Sequence, residues 1–217
     1  MQAVTNQLVK RLAPGATDMI RGDHTRVLAL FHRYRLETPP ARKQALAEMI
    51  CLALEIHARI EEEIFYPAMR RVDPDLIDKS VPEHNEMRRL ITRLRETPPT
   101  NAAHDAALMA LMRDVMRHVA DEETLLLPEA ERALADELPE LGARMTRRRL
   151  ELAMPRAGDV ARNGLRALPK PLIAVTGVMV LGAFLAGRLL TRSHALPVAR
   201  MRRSLPSAAR LRQRLAA

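Results

Sequence analysis

The 217 residues carry a net charge of +9, 47% hydrophobic residues, 2% aromatic residues and one cysteine, Cys51; these counts exclude a disulfide framework, a cysteine-based zinc site and an aromatic platform for stacking bases. Leu, Ala, Met, Arg and Glu dominate, which favours helices over an all-β fold, and the length suits one domain of ~100–150 residues with an appendage. The charge belongs to the end of the chain: residues 1–150 hold 23 Lys and Arg against 24 Asp and Glu, and residues 151–217 hold 12 against 2, so only the last third is suited to an anionic partner.

Residues 1–16 form a weakly basic lead-in without the long apolar run of a signal peptide, and predict a bundle that stays in the cytoplasm. From Asp18 to Glu37, Met19, Val27, Leu28, Leu30, Phe31 and Tyr34 recur at three- and four-residue spacing, as on one helix face. Thr38-Pro39-Pro40 ends that helix. A longer pattern runs from Ala41 to about Met69, with Leu46, Met49, Ile50, Ala53, Ile56, Ile60 and Ile64 as its stripe, before Asp73-Pro74. A third helix is predicted to start near Pro82, which a first turn tolerates, and to carry Met87, Leu90, Ile91 and Leu94 inward. After Thr97-Pro98-Pro99 a fourth runs from about Asn101 to Leu138, with Pro128 as a kink. Four helices joined by short connections predict an all-α, up-down-up-down four-helix bundle over residues 17–140.

The two halves repeat one another. Asp23-His24 leads to Glu37-Thr38-Pro39-Pro40, and Glu83-His84 leads to Glu96-Thr97-Pro98-Pro99. His57 stands ten residues before Pro67 and His118 ten before Pro128; His24 and His57 are 33 apart, His84 and His118 are 34 apart. This is the pattern of two helical hairpins related by a pseudo-two-fold axis.

His57 and Glu61, like His118 and Glu122, are four apart and so project from one helix face, the face that also carries the apolar stripe. A carboxylate aimed into a core costs several kcal/mol without a partner, and a metal ion is the partner that would also use the imidazole. His24 and His84 sit on the apolar faces of the other two helices. Four imidazoles and two carboxylates suit iron, manganese or zinc better than calcium, and the absence of thiolates argues against copper(I). His32 and His104 do not match between the halves, and His194 lies in the basic tail, so these three read as structural or solvated.

As a set, Asp23-His24, His57-x3-Glu61 before Pro67, Glu83-His84, and His118-x3-Glu122 before Pro128 resemble the hemerythrin-type HHE cation-binding domain. The resemblance implies a non-haem site of two iron ions, with manganese or zinc as lesser candidates. His24, His57, His84 and His118 would be terminal ligands, and Glu61 and Glu122 bridging carboxylates. It also implies dioxygen or a related diatomic as ligand; Phe31, Phe65 and Tyr66 are candidates for an apolar wall beside it, with ordinary core packing as the alternative. The oxygen-carrying members have a further histidine one turn after the third; here that position is Arg88. Sensing of oxygen or nitric oxide, and iron handling, thereby stand beside oxygen binding. The alternatives are a di-iron oxidase or reductase acting on peroxide, oxygen or nitric oxide, and an interaction protein in which metal only staples the fold.

Residues 141–170 read as a basic linker. From Pro171 to Gly187 there follow 17 residues without a charge, bracketed by Lys170 and Arg188. A C-terminal hydrophobic, membrane-spanning helix is expected over 171–190, with a buried soluble helix as its alternative. Small-residue spacings there, Gly182 to Ala186 and Ala183 to Gly187, would let two copies pair as a homodimer. From Arg188 onward there are eight arginines and no acid, suiting a disordered tail over 191–217 that meets anionic lipid headgroups in preference to nucleic acid.

Overall fold

Residues 13–168 are described by a computed structural model, and every regular element among them is a helix. Helix α1 (Ala16–Arg33) and α2 (Pro40–Ile60) are joined through Thr38-Pro39-Pro40, with Pro40 at the start of α2, where its missing N–H costs nothing. A π-helical turn, Glu61–Phe65, carries α2 into the short α3 (Tyr66–Met69). Helix α4 (Pro74–Glu96) returns, α5 (Ala102–Asp121) follows, and a second π-helical turn, Glu122–Leu126, leads into α6 (Leu127–Ala133). Two further helices, α7 (Leu138–Ala153) and α8 (Ala157–Arg166), complete the described chain.

Helix α4 starts earlier than the sequence suggested. Asp73 caps it by accepting from the Asp75 and Leu76 N–H groups at 3.1 and 3.2 Å, and Pro74 occupies the first turn. Pro82 lies inside the helix on an exposed position, as does Asp78 one turn earlier, whose carbonyl loses its donor there. At Pro128 the fourth helix continues, through a π-helical turn into α6. Pro67 and Pro128 each follow a π-helical turn, in which the N–H of Tyr66 reaches Glu61 O and that of Leu127 reaches Glu122 O. The wider turn gives each proline ring room against the preceding carbonyls, so the helix continues instead of breaking.

The apolar interior falls into two clusters. One holds Val27, Leu54, Met87 and Val115 with their neighbours; the other holds Ile20, Ile60, Ile77 and Leu126. On each of α1, α2 and its π extension, α4, and α5 with its own, a histidine lies between the two clusters, and the order in which the chain meets them alternates from helix to helix. That alternation is the up-down-up-down arrangement, and the plane between the clusters is polar. At the far end Tyr34 adds a second buried polar group: its hydroxyl donates to Asp105 Oδ1 at 2.6 Å and lies 3.0 Å from His104 Nδ1, while Lys43 holds Asp105 at 2.7 Å. His104 is thus a structural residue, as its failure to repeat suggested.

The stretch read as a basic linker is largely helical. On α7, Leu141 and Met145 enter the second cluster while Arg148 reaches outward to Glu63. Gly142 is required by proximity: a Cβ there would stand 2.1 Å from the Pro14 carbonyl oxygen, so α7 lies backbone against backbone on the start of α1. After α8, Ala167 is fully buried and its carbonyl accepts from Arg33 and Arg42, both at 3.0 Å. None of the described helices is long and apolar enough to cross a membrane. The segment 171–190, expected to do so, and the basic tail lie outside the described residues.

Candidate metal centre

The plane between the clusters gathers His24 from α1, His57 from α2, His84 from α4, His118 from α5, and Glu61 and Glu122 from the first positions of the two π-helical turns. All six are buried, with relative exposures from 0 to 3%. Each carboxylate faces one histidine of its own helix and one of another. Glu61 Oε2 lies 3.3 Å from His57 Nε2 and 3.4 Å from His84 Nε2; Glu122 Oε2 lies 3.2 Å from His24 Nε2 and 3.5 Å from His118 Nε2. Two overlapping groups of donors form, His24, His57, His118 and Glu122, and His57, Glu61, His84 and His118, with the donor atoms of each within 4.8 Å of one another.

The outer edges of the imidazoles are also occupied by acids. His24 Nδ1 lies 2.8 Å from Glu123 Oε1, His84 Nδ1 lies 3.0 Å from Glu62 Oε1, and His118 Nδ1 lies 3.0 Å from Glu83 Oε2. His57 Nδ1 stands 3.8 Å from Asp23 Oδ2. A carboxylate only accepts, so at the three close pairs the proton belongs on Nδ1 and the Nε2 lone pair turns inward. These four acids obey the repeat: Asp23 and Glu83 precede the first histidine of each half, and Glu62 and Glu123 follow the inward glutamate. Sequence reasoning missed their role, although that repetition was its visible signal.

The donor set fits a cation. Both oxygens of Glu61, Glu122 Oε2 and His24 Nε2 are buried without a hydrogen-bond partner, a costly state for any polar group and most of all for a charged one. His84 Nε2 and His118 Nε2 are 3.2 Å apart; with both protons on Nδ1, two lone pairs would face each other. Burial, reinforced by the Glu122 charge, holds the Glu61 carboxyl well above its usual range. Burial also pushes His57 down to about 4 against the pull of Asp23. Glu122 shifts the other way, since the surrounding imidazoles outweigh its burial. One positive ion or more between these atoms would satisfy all of them at once.

Of the three aromatic residues expected beside the ligand, Tyr66 bonds to the cluster itself. Its hydroxyl donates to Glu122 Oε1 at 2.9 Å and lies 3.3 Å from His84 Nε2, with its ring stacked on His84 at 5.4 Å. Phe65 packs behind Tyr66 at 6.4 Å between ring centroids, and Phe31 belongs to the other apolar cluster. Arg88 turns outward and pairs with Glu62, so it steadies the acid behind His84 instead of approaching the ligands. Glu86 pairs with Arg89 on the exposed face.

A family model for the hemerythrin HHE cation binding domain matches residues 15–130. Among curated proteins, a DNA nickase from Nostoc sp. is 30% identical over 128 residues, which is 57% of this chain and 35% of that protein, so the chain spans about a third of its length. Among solved structures, that of a hemerythrin HHE cation binding domain-containing protein from Mycobacterium kansasii is similar with a TM-score of 0.58 at 23% identity, over 69% of this chain and 99% of that one. The last likeness is one of fold.

Proposed function

We propose that this chain, which belongs to the hemerythrin HHE cation-binding family, holds two iron ions among its six buried ligands and uses them to bind or sense dioxygen or a related diatomic. The observation that carries the proposal is the convergence of unpartnered donor atoms on one buried plane, each carboxylate spanning two helices. Iron bound by imidazole and carboxylate would supply an electron donor and a Lewis acid for a small ligand. The protein's own residues set the terms. Glu123, Glu62 and Glu83 fix the histidine protons on the outer nitrogens. Tyr66 holds Glu122 from one side, its hydroxyl donating to the carboxylate. Ile60 and Phe65, both fully buried, close the plane against water from the side of the second cluster.

Metal analysis and absorption spectra of the purified full chain, before and after exposure to oxygen, test this reading. Two irons per chain and an oxygen-dependent band are expected, and His118→Ala should lose both, since His118 belongs to both donor groups. Unchanged iron content in that variant would sink the assignment. Turnover of peroxide, oxygen or nitric oxide with a reductant would instead favour a di-iron oxidase or reductase; one zinc and no oxygen response would favour a stapled fold. The activity named for the Nostoc protein is no part of the proposal, because this chain spans about a third of that protein's length.

The uncharged run from Pro171 to Gly187 and the arginines after it support a second part of the proposal, a tether to the inner face of a membrane. The full chain should sediment with membranes and be released by detergent and not by 1 M salt, which screens charge within ~3 Å. Release by salt alone would replace insertion with surface attraction.

A further inference from the structure

Three of the four histidines have a carboxylate within 2.8–3.0 Å of Nδ1. His57 does not: its Nδ1 is buried without a hydrogen-bond partner, 3.8 Å from Asp23 Oδ2. Asp23 is held from the other side. Arg149 of α7 bonds the same Oδ2, and Arg26 donates to Oδ1 at 3.0 Å. At the duplicated position Glu83 is free to serve its histidine, because the nearby Arg117 is 62% exposed and reaches only the other oxygen, at 3.7 Å. Two things set the halves apart: Asp23 is one methylene shorter than Glu83, and it is held by Arg149, which lies beyond the matched residues 15–130.

Asp23, Arg26 and Arg149 stand on the wall of a cavity of about 230 Å³ between α1, α2, α7 and α8. The rest of its wall is mainly apolar, with Leu30, Met49, Leu52, Ile56, Ala153 and Val160. It is smaller than the ~300–1,000 Å³ of sites for drug-sized ligands, so a single slender chain suits it better than a ring system. Arg149 Nε is buried with no partner, a donor still to be used. The other acid on the wall, Glu48, is already engaged by Gln44 and Arg95. An apolar slot flanked by two guanidiniums, one with an unused N–H, matches an apolar tail with an anionic head.

We propose that this cavity binds a fatty carboxylate whose head group takes Arg149 and releases Asp23 to accept the Nδ1 hydrogen of His57. The exchange leaves no charge unpaired, since Arg149 trades one carboxylate for another. It gives His57 the backing that the other three histidines already have, which orients the ring and raises its strength as a ligand. The coupling half rests on the metal reading above; the binding half does not.

Titration of the metal-free full chain with sodium dodecanoate, dodecan-1-ol and dodecyltrimethylammonium tests the cavity by calorimetry. One saturable dodecanoate site is expected, with the alcohol and the cation at least tenfold weaker. Ala153→Phe should fill the slot and abolish binding while the melting curve stays cooperative, and Arg149→Met should bind acid and alcohol alike. No saturable binding, equal affinity for acid and alcohol in the unaltered chain, or an unaffected Ala153→Phe variant would overturn it. With iron loaded, dodecanoate should move the near-ultraviolet bands of the unaltered chain towards those of ligand-free Arg149→Met, and should leave Asp23→Asn unmoved. Iron uptake with bands that dodecanoate does not shift would overturn the link through Asp23. Failure to take up iron would sink the metal reading and leave the titration to decide the cavity.

Discussion

Replacing Glu61 by Gln should stabilise the metal-free protein and weaken its metal binding, two effects of opposite sign from one atom pair. Both Glu61 oxygens are buried without partners, and the Glu122 carboxylate adds repulsion to a group already raised by burial. Neutralising it removes a cost on the order of 1–3 kcal/mol, which at this size is a rise of several degrees in melting temperature. In the loaded protein the same substitution removes an anionic ligand shared by His57 and His84. Metal at about 1,000 times its Kd adds ~4 kcal/mol to the folded state, and most of that should go with the carboxylate. Differential scanning calorimetry with and without chelator reads both.

The pH dependence separates this cause from simple packing. The folded chain holds the Glu61 proton above the ordinary value of 4.5, so between that value and the raised one the folded state binds more protons than the unfolded state. Stability in the metal-free protein is therefore full below about 4.5 and falls as pH rises through the window, by up to ~1.4 kcal/mol per pH unit. Metal-free Glu61→Gln and the unaltered chain should melt nearly together at pH 4 and diverge towards pH 7, with the variant higher. A variant that melts lower than the unaltered chain at pH 7 without metal would mean that Glu61 is not an unbalanced charge.

The ligand set was legible because it is doubly constrained. A histidine and a glutamate four apart on an apolar face contradict the core unless something pairs them, and the contradiction occurs twice at matched spacing. Periodicity likewise placed the starts of α1, α2 and α5 within two residues. What it could not show is the π-helical turn. A widened turn adds one residue without altering the apolar stripe on either side, and the proline that follows it gives little sign: Pro67 lies inside the expected second helix and Pro128 reads only as a kink. The start of α4 was missed for a related reason: Asp73-Pro74 reads equally as the end of one helix and as the cap and first turn of the next. Helix α7 was hidden by composition, since Arg147, Arg148 and Arg149 make a helix look like a linker when only Leu141 and Met145 need face the core.

The acids behind the histidines are the least legible part of the site and carry a large effect. Glu61, Glu62 and Glu63 are consecutive, yet the structure assigns them three tasks: Glu61 faces the ligand plane, Glu62 backs His84, and Glu63 pairs with Arg59 and Arg148 at the surface. Glu122 and Glu123 repeat the first two, with His24 in the place of His84. Three adjacent helical residues point about 100° apart, so one run of charge meets three environments, and a run of letters does not say which. Glu123→Gln should therefore lower metal affinity by about 10–100-fold, because a neutral amide oxygen accepts the Nδ1 hydrogen of His24 less strongly than a carboxylate, and the Nε2 lone pair is presented less strongly. Glu63→Gln, one residue from the corresponding acid in the first half, should leave the affinity unchanged, since exposed ion pairs contribute ~0–1 kcal/mol and touch no ligand. Competition against a chelator of known strength measures both variants under one condition. Equal affinities in the two would show that the acid behind His24 is only a neighbour, and the protons on the outer nitrogens would then need another cause.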